Sequence, residues 1–136
     1  LQTLTDFEKG DLTGEVQDES EVSRAPKLTK SNGRVDFGEP SDRVRGRIHG
    51  FTPWPSVRVL WIRKKDRQEQ ELLLRRVHSD EAQETDQPPG TLLDNQTVAT
   101  GRGVIRLLEV QRPGRRPMLI DEFVRGHPFQ AGDVLV

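Results

Sequence analysis

The hydrophobic period changes inside one short stretch, GFTPWPSVRVLWIRKK (residues 50–65), and that change limits the folds open to the chain more than any other feature. Upstream, in SDRVRGRIHGF (41–51), Val44, Ile48 and Phe51 recur at i, i+4 and i+7, the spacing of one helix face. Ser41 or Asp42 is placed to cap the free backbone N–H groups of that helix. Gly46 and Gly50 each weaken it by up to about 1 kcal/mol relative to Ala, so tertiary contacts must hold it, and Pro53 ends it. After Pro55 the period is two: Val57, Val59 and Trp61 face one way and Arg58, Leu60 and Ile62 the other. A helix must therefore turn directly into a strand. Pro53, Trp54 and Pro55 sit at that bend and read as a structural corner, with fixed φ at the prolines and Trp54 packed over the sheet. The competing reading, a polyproline ligand for a partner domain, fits less well because apolar residues flank the segment on both sides.

The same two-residue alternation continues in QELLLRRVH (70–78), with KKDRQE between the two runs as a hairpin turn. SDEAQETDQPPG is a long acidic loop, and TLLD, QTVAT and GVIRLLEVQ are three more strand candidates. Gly101 and Gly103 in TGRG suit a tight hairpin, since glycine tolerates positive φ. MLIDEFVRG places Leu119, Phe123 and Val124 on one side of a helix closed by Gly126, and AGDVLV makes a last short strand. At the other end, Leu1, Leu4 and Phe7 fall at helical spacing and Gly10 stops the pattern, while Gly10 to Gly33 is polar and reads as an extended linker. The expected fold is mainly β: a small OB-like Greek-key barrel with two short helices, preceded by a linker and the remnant of an upstream helix. A two-sheet sandwich is the alternative.

Such a barrel has a small core, because apolar residues make up only 32% of the 136, and charged residues another 32%. Without cysteine there is no disulfide framework, thiolate nucleophile or thiolate zinc site. His49, His78 and His127 form no metal-binding pair, and neither a catalytic triad elbow nor a glycine-rich phosphate loop is present, so these residues alone describe no enzyme. No run approaches a membrane span and the first residues lack a secretion signal, which points to a cytoplasmic protein. Met118 is the sole methionine, so residue 1 is expected to lie inside a longer protein.

Net charge is −1, but the charges are sorted along the chain. Residues 1–23 hold one Lys against seven acids, 24–76 fourteen Lys or Arg against six acids, and 77–101 five acids with no base. Residues 102–136 hold six bases against four acids. A cationic middle of this kind attracts polyanions, nucleic acid first among them. Lys27, Lys30 and Arg34 follow the linker; Arg43, Arg45 and Arg47 lie on the short helix; Arg63, Lys64, Lys65 and Arg67 crowd the first hairpin. Arg112, Arg115 and Arg116 occupy the exposed turn QRPGRRP. The candidate RNA-binding residues are Lys27, Lys30, Arg34, Arg45, Arg47, Arg63, Lys64, Lys65, Arg115 and Arg116. The expectation is that these loops share one rim and that the acidic 77–101 segment faces away from it. The structural alternative is a set of solvated strand faces with locally paired charges.

EVQDE (15–19), APKLTKSNGRVDF (25–37), GFTPWPS (50–56), PPGTLL (88–93), VATGRGVIRLLEVQRPGRRPM (98–118) and the terminal GDVLV together resemble, in order and over nearly the whole chain, the C-terminal portion of the methionyl-tRNA formyltransferase family. The resemblance implies a boundary near residue 24. Residues 1–24 would be the end of a catalytic-domain helix and the interdomain linker, and 25–136 the OB-like barrel that helps hold initiator methionyl-tRNA. It also implies that 10-formyltetrahydrofolate and the formyl-transfer chemistry belong to an upstream domain, leaving this chain inactive alone and without a cofactor. Lys27 and Lys30 would match the family's basic positions after the linker, and Arg115 and Arg116 its paired bases. A monomer is expected, with the catalytic domain and the tRNA as partners. The alternatives are the barrel of a related formyltransferase or folate hydrolase, and a protein-interaction module that binds no RNA.

Overall fold

The structure, a computed structural model, describes residues 2–10, 16 and 18–136. Leu1 of the first apolar stripe and residues 11–15 and 17 of the linker lie outside the described residues. The described elements begin with helix α1 (Gln2–Lys9), single 3-10 turns at Glu19–Glu21 and Lys30–Asn32, and helix α2 (Ser41–Gly50). Strands β1 (Val57–Ile62), β2 (Glu69–Asp80), β3 (Thr97–Ala99), β4 (Val104–Gln111) and β5 (Pro117–Leu119) follow, then helix α3 (Ile120–Gly126) and strand β6 (Val134–Leu135). Among the described residues, no helix is long and apolar enough to cross a membrane.

The strands form one antiparallel sheet in the order β3-β4-β2-β1-β6, with β5 added to β4. The sheet is a nearly closed barrel, because the segment at 90–93 ties its two edges together. Gly90 N–H donates to the Ala99 carbonyl at 2.9 Å and Leu93 N–H to the Thr97 carbonyl at 2.8 Å. On the other edge Leu135 N–H donates to the Gly90 carbonyl and Leu92 N–H to the Asp133 carbonyl, both at 2.8 Å. TLLD is thus no strand of its own, as its sequence suggests, but a closing segment that bridges to β3 and β6. The small β-barrel is the expected fold, and one continuous sheet replaces the sandwich alternative.

The alternation read downstream of Pro55 sets the inside of this barrel. Val57, Val59 and Trp61 point inward with Leu72, Leu74, Leu107 and Val98, and α3 adds Phe123 from one side. Trp61 is fully buried and meets Phe123 and Phe129 edge-on, at centroid distances of 6.2 and 4.6 Å. Helix α2 lies against β2 and buries Val44 and Ile48.

Four local expectations are corrected. Pro40, not Ser41 or Asp42, is the N-cap of α2; Ser41 is already helical, and its N–H is satisfied by the Arg102 carbonyl at 3.0 Å. Leu119 is 62% exposed at the end of β5, and the buried face of α3 is Ile120 and Phe123, because the chain is still pairing with β4 at 117–119. Gly103 has φ +77°, as a tight hairpin requires, whereas Gly101 is needed for space: a Cβ there would lie 1.8 Å from the Gly38 carbonyl oxygen. Trp54 is 52% exposed rather than packed over the barrel. The bend it occupies is held by other groups. Both Thr52-Pro53 and Trp54-Pro55 are cis, Ser56 N–H donates to the Phe51 carbonyl at 2.8 Å, and Arg75 Nη1 donates to the Pro53 carbonyl (3.2 Å) and Ser56 Oγ (2.8 Å). Arg75 is free to do so because it is the extra residue of a β-bulge, unpaired where Leu74 faces Val110 and Arg76 faces Glu109.

Candidate nucleic-acid interface

The basic residues gather in two places, set by the two ends of β1. Near its start lie the Lys30–Asn32 turn and Arg34, tied to β1 by Arg58 N–H, which donates to the Gly33 carbonyl at 3.0 Å, and to α2 by Arg47. Near its end, the 63–68 hairpin carries Arg63, Lys64, Lys65 and Arg67. Six residues of extended chain separate these ends by about 20 Å at 3.3 Å per residue, so the candidates do not form the single rim expected of them.

At the α2 end, Arg34, Asp36, Glu39, Arg43 and Arg47 line an open groove of about 530 Å³. Two of its three guanidinium groups are engaged. Arg47 Nε donates to the Arg34 carbonyl and Nη2 to the Asn32 carbonyl at 3.3 Å, and its charge sits 5.0 Å from the Phe51 ring centroid. Arg43 pairs with Glu39 at 3.2 Å, one helical turn away. Arg47 therefore fastens the 32–34 segment to α2, a structural duty that its spacing on the helix did not reveal. Lys27, Lys30 and Arg45 are exposed. His49, one turn beyond Arg45, accepts a hydrogen bond at Nε2 from Val77 N–H at 3.2 Å. Burial first, then the Arg45 and Arg76 charges, keep its pKa below the ordinary 6.5.

At the hairpin end, three loops meet. Asp133, 2% exposed at the start of β6, accepts hydrogen bonds from Trp61 Nε1 (3.0 Å), Lys64 N–H (2.9 Å) and Gln130 N–H (3.0 Å). One carboxylate thereby fixes the barrel's central indole, the cationic hairpin and the loop after α3. Arg63 lies 4.6 Å over the Trp61 ring and leaves Lys64 and Lys65 exposed beside it. From the β4–β5 turn, Arg112 donates through Nη1 to His127 Nε2 at 3.1 Å, and Arg115 shares a shallow groove with Arg112, Glu69 and Glu71. Arg116 is committed differently: its Nη2 pairs with Glu122 Oε1 at 2.7 Å. Arg63, Lys64, Lys65 and Arg115 are thus brought to one end of the barrel, and Arg116 reaches it with its charge already met.

The acidic 81–90 loop leaves β2 at Asp80, whereas the cationic hairpin enters it at Glu69. The twelve residues of β2, eleven steps from Glu69 to Asp80, keep the two apart by about 36 Å of contour. Its Glu81 pairs with Arg102 at 3.2 Å. Asp133 and the Arg112–His127 pair are the residues that sequence reasoning missed at this end. The only sequence signal for Asp133 is its place in the GDVLV motif, and nothing in the spacing of Arg112 and His127 joins them. Among the described residues, no group of three His, Asp or Glu side chains could hold a metal ion.

Comparison with known proteins adds an independent line. The sequence profile of the family described as "Formyl transferase, C-terminal domain" matches residues 27–128. Over 131 residues the chain is 34% identical to a methionyl-tRNA formyltransferase from Rhodopseudomonas palustris (strain BisB18), covering 96% of this chain and 41% of that protein. It is 36% identical over 121 residues to one from Methylococcus capsulatus, covering 85% of this chain and 36% of that one. The chain thus spans about two-fifths of the length of these curated relatives. Among solved structures, a variant of HypX from Aquifex aeolicus superposes with a TM-score of 0.54 at 20% identity, over 92% of this chain and 22% of that one, a likeness of fold alone.

Proposed function

The chain belongs to the formyl transferase C-terminal domain family, and on that premise we propose that it is the tRNA-positioning barrel of a methionyl-tRNA formyltransferase. In this reading α1 closes an upstream catalytic domain, residues 10–24 link the two, and the barrel from residue 25 holds initiator methionyl-tRNA while the upstream domain, with 10-formyltetrahydrofolate, formylates the methionyl amino group. The protein works as a cytoplasmic monomer. The observation that carries the proposal is the run of relatives bearing that name, at 30–36% identity over 85% or more of this chain. The gathering of Arg63, Lys64, Lys65 and Arg115 at one barrel end, away from the acidic loop, supports it. Loops of that kind contact phosphates and give orientation rather than sequence readout.

The test is the salt dependence of tRNA binding. If about four phosphates are neutralised, log K falls against log salt with a slope near −3. A slope near zero refutes phosphate-led binding. Joined to an upstream catalytic domain, the chain supports formyl transfer; alone, with the folate cofactor added, it transfers none. The exposure of Trp54 favours a second reading, a protein-docking corner, which predicts that peptide partners shift its fluorescence.

A further inference from the structure

We infer that Arg63, Arg112 and His127 form one oxyanion site at the hairpin end of the barrel, suited to a phosphodiester oxygen, whose filling places a proton on His127. The inference rests on the RNA-positioning reading for its natural ligand, but its argument is local. Arg112 Nε is buried without a hydrogen-bond acceptor, which costs free energy unless something supplies one. Its Nη1 donates to His127 Nε2 at 3.1 Å. Since an arginine can only donate, that nitrogen is unprotonated in the empty site.

The floor is aromatic and rigid. His127 stacks on Phe123 with centroids 5.1 Å apart and planes 19° from parallel; Phe123 meets Trp61 edge-on, and Arg63 lies 4.6 Å from the centroid of that indole. The three basic groups thus come from three loops: Arg63 from the β1–β2 hairpin, Arg112 from the β4–β5 turn and His127 from the end of α3. Of the nearby carboxylates, Asp133 is engaged by three donors, Glu122 by Arg116, Glu71 by Arg58 and Asp66, which shares a pocket with Arg63 and Pro128, by Gln68 N–H, while Glu69 lines a groove with Arg112. Burial first, then the charges of Arg112 and Arg63, hold His127 below its ordinary pKa of 6.5. An oxyanion entering between them reverses this balance. It takes the Arg112 N–H groups in place of the imidazole, and the freed Nε2 binds a solvent proton and donates to the same anion.

The sign follows from linkage: an anion that favours protonated His127 binds more tightly at low pH than at high pH. The experiment follows the His127 ring by NMR across pH in the full chain, alone, with sodium sulfate and with a short RNA hairpin. Both ligands are expected to raise its pKa by about one unit, which corresponds to binding severalfold tighter at pH 5.5 than at pH 8, with about tenfold as the low-pH limit. His127→Gln removes that pH dependence while binding at pH 8 persists. Arg112→Gln and Arg63→Gln each lower the RNA salt slope by about one. An unmoved His127 pKa with both ligands saturating overturns the proposal, as does an unchanged pH profile in His127→Gln. If sulfate moves His127 but RNA does not bind, the site stands and the RNA reading falls. If RNA binds all three variants with the parent's slope and pH profile, the RNA reading stands and the site falls.

Discussion

Replacing Asp133 by Asn keeps the volume and shape of the side chain and removes one acceptor oxygen, which isolates what the carboxylate contributes. Three donors converge on it: Oδ1 accepts Lys64 N–H, and Oδ2 accepts both Trp61 Nε1–H and Gln130 N–H. An amide can place its oxygen at only one of these positions. With oxygen at the Oδ2 position two bonds survive, and the NH2 group faces the Lys64 N–H, donor against donor. A buried hydrogen bond to a charged acceptor contributes about 1.5–3 kcal/mol, so the cheaper orientation costs about 2–3 kcal/mol. For a chain of this size 1 kcal/mol is about 3–4 °C in Tm, which gives a drop of about 10 °C. Thermal unfolding followed by circular dichroism reads it directly. Asp121→Asn serves as the control: Asp121 is exposed and, among the described residues, accepts from Gln96 Nε2 at 2.7 Å, and its loss should stay within about 0.5 kcal/mol. A Tm for Asp133→Asn within about 2 °C of the parent would show that these three short contacts do not restrain the fold, and the argument that one carboxylate holds the cationic hairpin would fail with it.

Two glycines should respond in opposite directions. Gly101→Ala drives a Cβ into the Gly38 carbonyl and should prevent folding or lower stability by several kcal/mol, since the obstacle is backbone. Gly46→Ala, in α2 with nothing within 4 Å of the new Cβ, should raise stability by about 0.5–1 kcal/mol; denaturant midpoints distinguish the two outcomes. Arg47→Ala and Arg45→Ala likewise separate structure from contact. The first frees the 32–34 segment and lowers Tm. The second leaves Tm unchanged and weakens tRNA binding, and equal effects of both on Tm would refute the division.

What the sequence made legible was whatever one element specifies by itself. The two-residue alternation of Val57, Val59 and Trp61 is visible because burial on one face of a strand imposes it, and Val44 and Ile48 mark α2 for the same reason at helical spacing. Trp54 and Trp61 look alike in composition, yet one is half exposed and the other fully buried, since Trp54 stands at a bend pinned by Arg75 from a bulge that no local pattern announces. The three residues of β5 are too few to show a period, so by sequence Leu119 reads as part of the helix stripe beside it. The functional candidates were legible as chemistry and not as placement. Arg47 and Arg45 differ by two positions on one helix, but only Arg47 faces the carbonyls of 32–34.

Placement also decides where a nucleic acid can be met. The barrel's interior is filled by Trp61, Leu72, Leu74, Val98, Leu107 and Phe123, all buried, so it offers no lumen and any ligand must bind on the loops or the outer surface. Of those surfaces, the end holding the 81–90 loop carries Asp80, Glu81, Glu84 and Asp86 within seven residues and repels a polyanion. The α2 groove spends Arg47 on backbone carbonyls and Arg43 on Glu39. The hairpin end combines exposed Lys64 and Lys65 on the hairpin and exposed Arg115 on the β4–β5 turn with a buried anchor, Asp133, that ties the hairpin to the loop after α3. Preorganised donors lose little freedom when they meet an anion. The loops there should therefore govern orientation of a bound RNA, while Lys27, Lys30 and Arg45, about 20 Å away along β1, add charge that steers its approach.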